Sequence, residues 1–124
     1  MKKAPLLFLF FLIILASCSE DPQPLQACNT DNVLVDLPWL AELVTELNKS
    51  DFGRKYSYIS TGIYLGQTIF SLQNCCPFCN SVTPIYDCSG NNLGFLGSQG
   101  IESDEITNWK VIWKSTESTC FPKD

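Results

Sequence analysis

The chain has 124 residues, 45% of them hydrophobic and 17% charged, and a formal net charge of −5. That length supports one hydrophobic core and leaves no room for a second. Histidine is absent, which excludes Ser-His and Cys-His nucleophiles, imidazole bases and His-ligated zinc, and the acidic balance makes nucleic acid a poor partner.

Residues 1–17 read as a secretory signal peptide. Lys2 and Lys3 form a positive start, Leu6 to Leu15 is an unbroken apolar run, and Ala16-Ser17 supplies small residues before a cut. The run is about ten residues, roughly 15 Å as a helix, against about 30 Å for a hydrocarbon core, so it is too short to span. Leu15-Ala16-Ser17-Cys18 resembles a bacterial lipobox. Cys18 is therefore the expected lipidation site, acylated in the manner of a palmitate-bearing lipoprotein, and the membrane an expected partner through that anchor. The alternative is an ordinary signal peptide that leaves Cys18 as a free thiol. Cleavage leaves residues 18–124 and, by removing two lysines, takes the net charge from −5 to −7. Ser19-Glu20-Asp21 resembles the short acidic signal that sends lipoproteins to the outer face of the outer membrane, and Pro22-Gln23-Pro24 favours an extended tether over residues 18–27.

Residues 28–124 are expected to form a single domain. Asp36-Leu37-Pro38 predicts a helix start with Asp36 as N-cap and Pro38 in the first turn. Trp39, Leu40, Leu43, Val44 and Leu47 then recur at helical spacing, with an end near Asn48-Lys49-Ser50. Beyond Gly53 the period becomes two. Tyr56, Tyr58, Ile59, Ile63 and Tyr64 predict a first strand interrupted at Gly62, and Leu65-Gly66-Gln67 a turn. Thr68–Leu72, Val82–Tyr86 and Leu93–Leu96 predict three more strands, the third with Pro84 marking an edge or a bulge. Trp109, Val111 and Trp113 alternate with Lys110, Ile112 and Lys114, which predicts a fifth strand with one aromatic face. The tail from Ser115 is read as loop held at Cys120. The fold class is thus α+β: one amphipathic helix on a small, mainly antiparallel sheet of four to five strands.

With Cys18 set aside, Cys28, Cys75, Cys76, Cys79, Cys88 and Cys120 remain, an even count that reads as a disulfide framework in an exported small domain. Six cysteines allow 15 pairings. Cys75 and Cys76 are adjacent, and neighbours in a strand point to opposite faces, so each is expected to serve a different bridge. Cys28 and Cys120 lie near the two ends of the domain and are expected to staple them to the body, with the Cys75–Cys79 cluster as the partner. Cys76-Pro77-Phe78-Cys79 has the spacing of a thiol oxidoreductase. Such motifs normally open a helix that lowers the first thiol's pKa, whereas Asn80 to Tyr86 reads as loop and strand.

Two acidic features have competing readings. Asp87-Cys88-Ser89-Gly90-Asn91-Asn92 carries several oxygens in reach of calcium but lacks the distal glutamate of an EF-hand, and is more simply a hairpin turn. Glu102-Ser103-Asp104-Glu105 is a solvated loop or, less simply, a carboxylate pair for acid–base work. Neither is assigned a metal or cofactor.

The ordered set of Leu37-Pro38-Trp39-Leu40, a tyrosine-rich hairpin, the cysteine cluster, Tyr86-Asp87-Cys88-Ser89-Gly90-Asn91-Asn92-Leu93-Gly94 and Val111-Ile112-Trp113 resembles a family of small Bacteroidota lipoproteins built on a domain of unknown function. The resemblance covers about residues 28–114. It implies secretion, lipidation and fold, and it carries over no catalytic residue. No enzyme activity is expected. The function this sequence favours is a binding or accessory module at the outer-membrane surface, facing a protein or glycan partner. The alternatives are an inhibitor of a secreted hydrolase, using the Cys75–Cys79 or Gly97–Glu105 loop, and a thiol oxidoreductase at Cys76 and Cys79.

Overall fold

The structure, a computed structural model, describes residues 26–97 and 100–121. Three short helices precede five strands. The helices are α1 (Val33–Asp36), α2 (Pro38–Lys49) and α3 (Asp51–Tyr56), and the strands are β1 (Ser57–Tyr64), β2 (Gln67–Asn74), β3 (Thr83–Tyr86), β4 (Asn92–Leu96) and β5 (Ile106–Lys114). The strands form one antiparallel sheet in the order β4-β3-β2-β1-β5. The α+β class is as read from the sequence, but the single helix is replaced by three.

The helix boundaries differ from expectation for local reasons. Asp36 does not cap α2. It closes α1, and its Oδ2 accepts from the Asn32 backbone N–H at 3.0 Å. Proline disfavours helical backbone in the residue before it, so Pro38 holds Leu37 extended (φ −94°, ψ 106°) and the break falls there. Leu37 offers no side-chain cap; its apolar side chain goes into the core instead. Ser50 caps α3, accepting from Gly53 N–H at 2.9 Å. Tyr56, expected in the first strand, is the last residue of α3. Gly53 makes this possible, because a Cβ there would lie 2.0 Å from the Leu47 carbonyl oxygen.

β1 and β2 pair without a break from Ser57↔Asn74 to Tyr64↔Gln67. The expected interruption at Gly62 is absent. Glycine there admits β5, since a Cβ would sit 2.5 Å from Ile106 Cγ2. Leu65 (φ 49°) and Gly66 (φ 76°) make the connecting turn, a two-residue loop whose twist matches that of the strands. β3 lies inside the sheet, and its register against β4 shifts between Ile85 and Tyr86. Its pairing with β2 stops at Ile85, so Pro84 stands on a locally unpaired edge of β3, one residue before that bulge.

The face of the sheet under the helices carries the larger core. Val33, Leu37 and Leu40 meet Ile59 and Phe70, with Leu43, Val44, Leu47, Leu72, Ile112 and Trp113 packed around them. Trp39 belongs to this core. Its ring lies 5.6 Å from Phe70, edge-on, and 5.6 Å from Tyr86, and its Nε1–H donates to the Cys88 carbonyl at 2.9 Å. On the other face Ile69, Ile85, Ile101 and Ile106 form a second, smaller cluster with Tyr64 and Leu96. Ile101 comes from the connection between β4 and β5, which join opposite edges of the sheet. That connection crosses the helix-free face and ends in a 3-10 turn at Ser103–Glu105.

Three disulfides complete the domain: Cys28–Cys88, Cys75–Cys120 and Cys76–Cys79. Cys75 and Cys76 serve different bridges and Cys120 joins the cluster, as expected. Cys28 does not. Its Ala27–Thr30 turn lies against the β3–β4 turn, and Cys88 is the sulfur within reach.

Candidate functional site: a groove on the helix-free sheet face

Alternation along β1 and β2 places Tyr58 and Ser60, and Ser71 and Gln73, on the face away from the helices. The register makes them cross-strand neighbours, Tyr58↔Gln73 and Ser60↔Ser71. The two central strands thus carry a neutral polar block beside the isoleucine cluster. Tyr58 Oη donates to Gln73 Oε1 at 2.7 Å, and Gln73 Nε2 donates to Ser71 Oγ at 2.7 Å. Burial pushes the Tyr58 phenol above its ordinary pKa. Ser60 is only 4% exposed, yet among the described residues its hydroxyl has no hydrogen-bond partner. Among the described residues no fully enclosed side-chain oxygen or nitrogen lacks one, so the Ser60 oxygen opens onto the groove it lines.

Tyr58, Ser60 and Gln73 of this block are the floor of a cavity of about 350 Å³, within the size class of small-ligand sites; Ser71 itself is wholly buried. One wall is β5. The sequence predicts Trp109, Val111 and Trp113 on a single face, and the structure separates them. Ile59 pairs with Trp113 but Ser60 with Val111, so Ile112 is an extra residue in β5, and a second irregularity lies near Asn108 (φ 56°). A bulge flips the side-chain alternation beyond it. Trp113 goes to the helix-side core, while Trp109 and Val111 line the groove. The Trp109 indole N–H points at the Ser103 carbonyl, 3.5 Å away, and its ring stays 38% exposed.

The other wall is Phe121. Its ring meets Tyr58 edge-on at 5.0 Å, with Lys114 Nζ 5.7 Å from its centroid. The tail is fastened just before it, by the Cys75–Cys120 bond and by Thr119, whose N–H and hydroxyl both donate to the Lys55 carbonyl, at 2.8 and 3.0 Å. Among the described residues no carboxylate lines the groove, although the protein is acidic; Lys110 stands in the lining and Lys114 lies against Phe121.

The residues singled out from sequence lie elsewhere. Cys18 falls outside the described residues. Cys76–Cys79 closes a turn after β2 that leads into loop and then β3, so no helix N-terminus follows the motif. Phe78, inside that ring, is 97% exposed. Asp87 builds the hairpin turn: Oδ1 accepts from the Ser89 and Asn91 N–H groups, both at 2.9 Å, and Oδ2 from Asn91 Nδ2 at 3.1 Å. These bonds, Asn91's foremost, hold its pKa below the usual carboxylate value. Glu105 Oε2 accepts from the Glu102 N–H at 2.8 Å in an exposed 3-10 turn. Among the described residues no three Cys, Asp or Glu groups are placed to hold a metal.

The groove itself was missed from sequence, although its signal was present. A two-residue hairpin at Leu65-Gly66 sets Tyr64 opposite Gln67, and counting back from there aligns Ser60 with Ser71 and Tyr58 with Gln73. No family model, curated protein or solved structure matches the chain.

Proposed function

We propose that the protein is an exported binding module, tethered through acylated Cys18 to the outer surface of the outer membrane, that takes its ligand in the groove on the helix-free sheet face. The lipobox-like Leu15-Ala16-Ser17-Cys18 and the Ser19-Glu20-Asp21 stretch support the address. Three disulfides among six cysteines suit an oxidising compartment. The observation that carries the binding reading is the polar block. Buried hydroxyl and amide groups normally complete their hydrogen bonds within the protein, and here Ser60, whose hydroxyl no described residue uses, instead lines a groove that Trp109 and Phe121 also line.

The test uses intact cells displaying the full chain. Alkyne-palmitate labelling is expected for the parent and lost in Cys18→Ala. Capture of a partner or glycan by the parent, abolished in a Gln73→Ala/Trp109→Ala double variant that still reaches the surface, supports the module. Equal capture by both forms counts against it.

A hydrolase inhibitor is the second reading. It draws on Phe78, which a short disulfide ring holds out in solvent; such preorganisation lowers the entropy lost on binding. Inhibition across a panel of secreted proteases and lysozymes, lost in Phe78→Ala, would favour it over the groove.

A further inference from the structure

We infer that the ligand of the groove is a neutral saccharide, bound with its ring against Trp109 and Phe121 and its hydroxyls on Tyr58, Ser60 and Gln73. This rests on the binding-module reading above and names the chemistry of the same site.

The floor is polar and carries no charge. Tyr58 Oη, having donated its proton to Gln73, keeps lone pairs to accept. Gln73 Nε2 spends one hydrogen on Ser71 and retains the other. Ser60 Oγ offers both a proton and lone pairs. Donors and acceptors therefore lie side by side across two paired strands, about 5 Å apart. A vicinal diol, which needs a donor and an acceptor close together, is the chemical match. The walls complete it. An aromatic face is the negative side of the ring quadrupole and attracts the polarised C–H bonds of a pyranose. Trp109 and Phe121 both line the groove and remain 38% and 53% exposed.

Other classes fit less well for reasons in the same groove. Among the described residues a phosphate or carboxylate ligand meets Lys110 in the lining and Lys114 beside Phe121, with no cation on the floor between the strands. A lipid chain laid on Ser60 and Gln73 would bury their polar atoms without hydrogen bonds, at a cost. An extended peptide adds to a sheet through free backbone groups. The backbone of β1 is paired with both β2 and β5, whereas β2 meets β3 only at Phe70↔Tyr86 and Ser71↔Ile85, so the stretch of β2 beyond Ser71 is where a peptide would have to add, and the tripeptide arm of the experiment tests it.

The experiment is calorimetric titration of the disulfide-intact domain with maltotriose, cellotriose, mannotriose and N,N′-diacetylchitobiose, each to 10 mM, and in parallel with a library of uncharged tripeptides. At least one saccharide is expected to bind saturably, with an affinity insensitive to salt between 50 and 500 mM. Ser60→Ala and Gln73→Ala are each expected to weaken it about tenfold, and Trp109→Ala more, with near-ultraviolet circular dichroism confirming the fold. Ser60→Ala is the informative variant, because it removes a hydroxyl that no described residue uses. Saccharide binding that these variants leave unchanged overturns the inference, as does no saccharide binding at all. Tripeptides bound in a Trp109- and Gln73-dependent way would overturn the saccharide while keeping the groove as a site, and binding of neither class would remove both.

Discussion

The two faces of the sheet are made by the same strands and solve opposite problems. Under the helices, Ile59, Phe70 and Leu72 alternate toward an apolar layer completed by Val33, Leu37 and Leu40. On the other side Ser60, Ser71 and Gln73 occupy the intervening positions, and no helix covers them. A helix laid there would seal hydroxyl and amide groups from water, at a free-energy cost wherever a hydrogen bond went unmade. Only the end of that face bearing Ile69 and Ile85 is dry, and there the β4–β5 connection supplies Ile101 as a lid. Stability is thus concentrated on one face and an open polar surface on the other, and the two should respond differently to mutation.

The largest effect is expected on the covered face. Phe70→Ala removes a ring that is 1% exposed and touches Trp39, and should cost about 3–5 kcal/mol in urea unfolding, with the groove lost only because the fold is. Replacing Cys75 and Cys120 together by alanine should cost about 2–4 kcal/mol. Unlike Phe70→Ala it should also free Phe121 while the domain remains folded, which limited proteolysis of the tail would reveal. Gly90→Ala should cost about 1–3 kcal/mol, because a positive-φ position would carry a Cβ lying 2.8 Å from Trp39 Cγ at φ 83°. A shifted Trp39 near-ultraviolet band would accompany it. On the open face, Ser60→Ala should change stability by less than about 1 kcal/mol, and an equal loss to that of Phe70→Ala would erase the contrast between the faces. The smallest effect concerns pH. Well below pH 10, the ordinary tyrosine value, the Tyr58 phenol is neutral folded or unfolded. Its folded pKa is raised, so the native state holds the proton longer, and stability should fall as pH climbs from the unfolded value toward the folded one. Difference titration at 295 nm against Tyr58→Phe checks both the direction and the residue.

What could be read in advance follows the same division. α2, the β1–β2 hairpin and the order of strands rest on periodicity and on local turn chemistry at Leu65-Gly66 and Asp87–Asn91, all of which act over a few residues. α3 was hidden because Gly53 reads as a stop, and only the close approach of Leu47 shows why glycine belongs inside a helix there. The wall of the groove was hidden for a longer-range reason. Trp109 and Trp113 look equivalent until β5 is paired with β1, and the extra residue at Ile112 exists only in that pairing. The Cys28–Cys88 bond likewise depends on two turns meeting that are 60 residues apart in the chain.

The path of the polypeptide into the domain bears on the groove. Gln26 and Ala27 lie beside Gly62, Ile63 and Thr68, at the Leu65-Gly66 end of the long hairpin. Tyr58 and Gln73 pair near its other end, about 15 Å from those residues at roughly 3.3 Å per residue. Lys110 borders both the groove and this entry point, so β5 links the mouth of the groove to the place where the described chain begins.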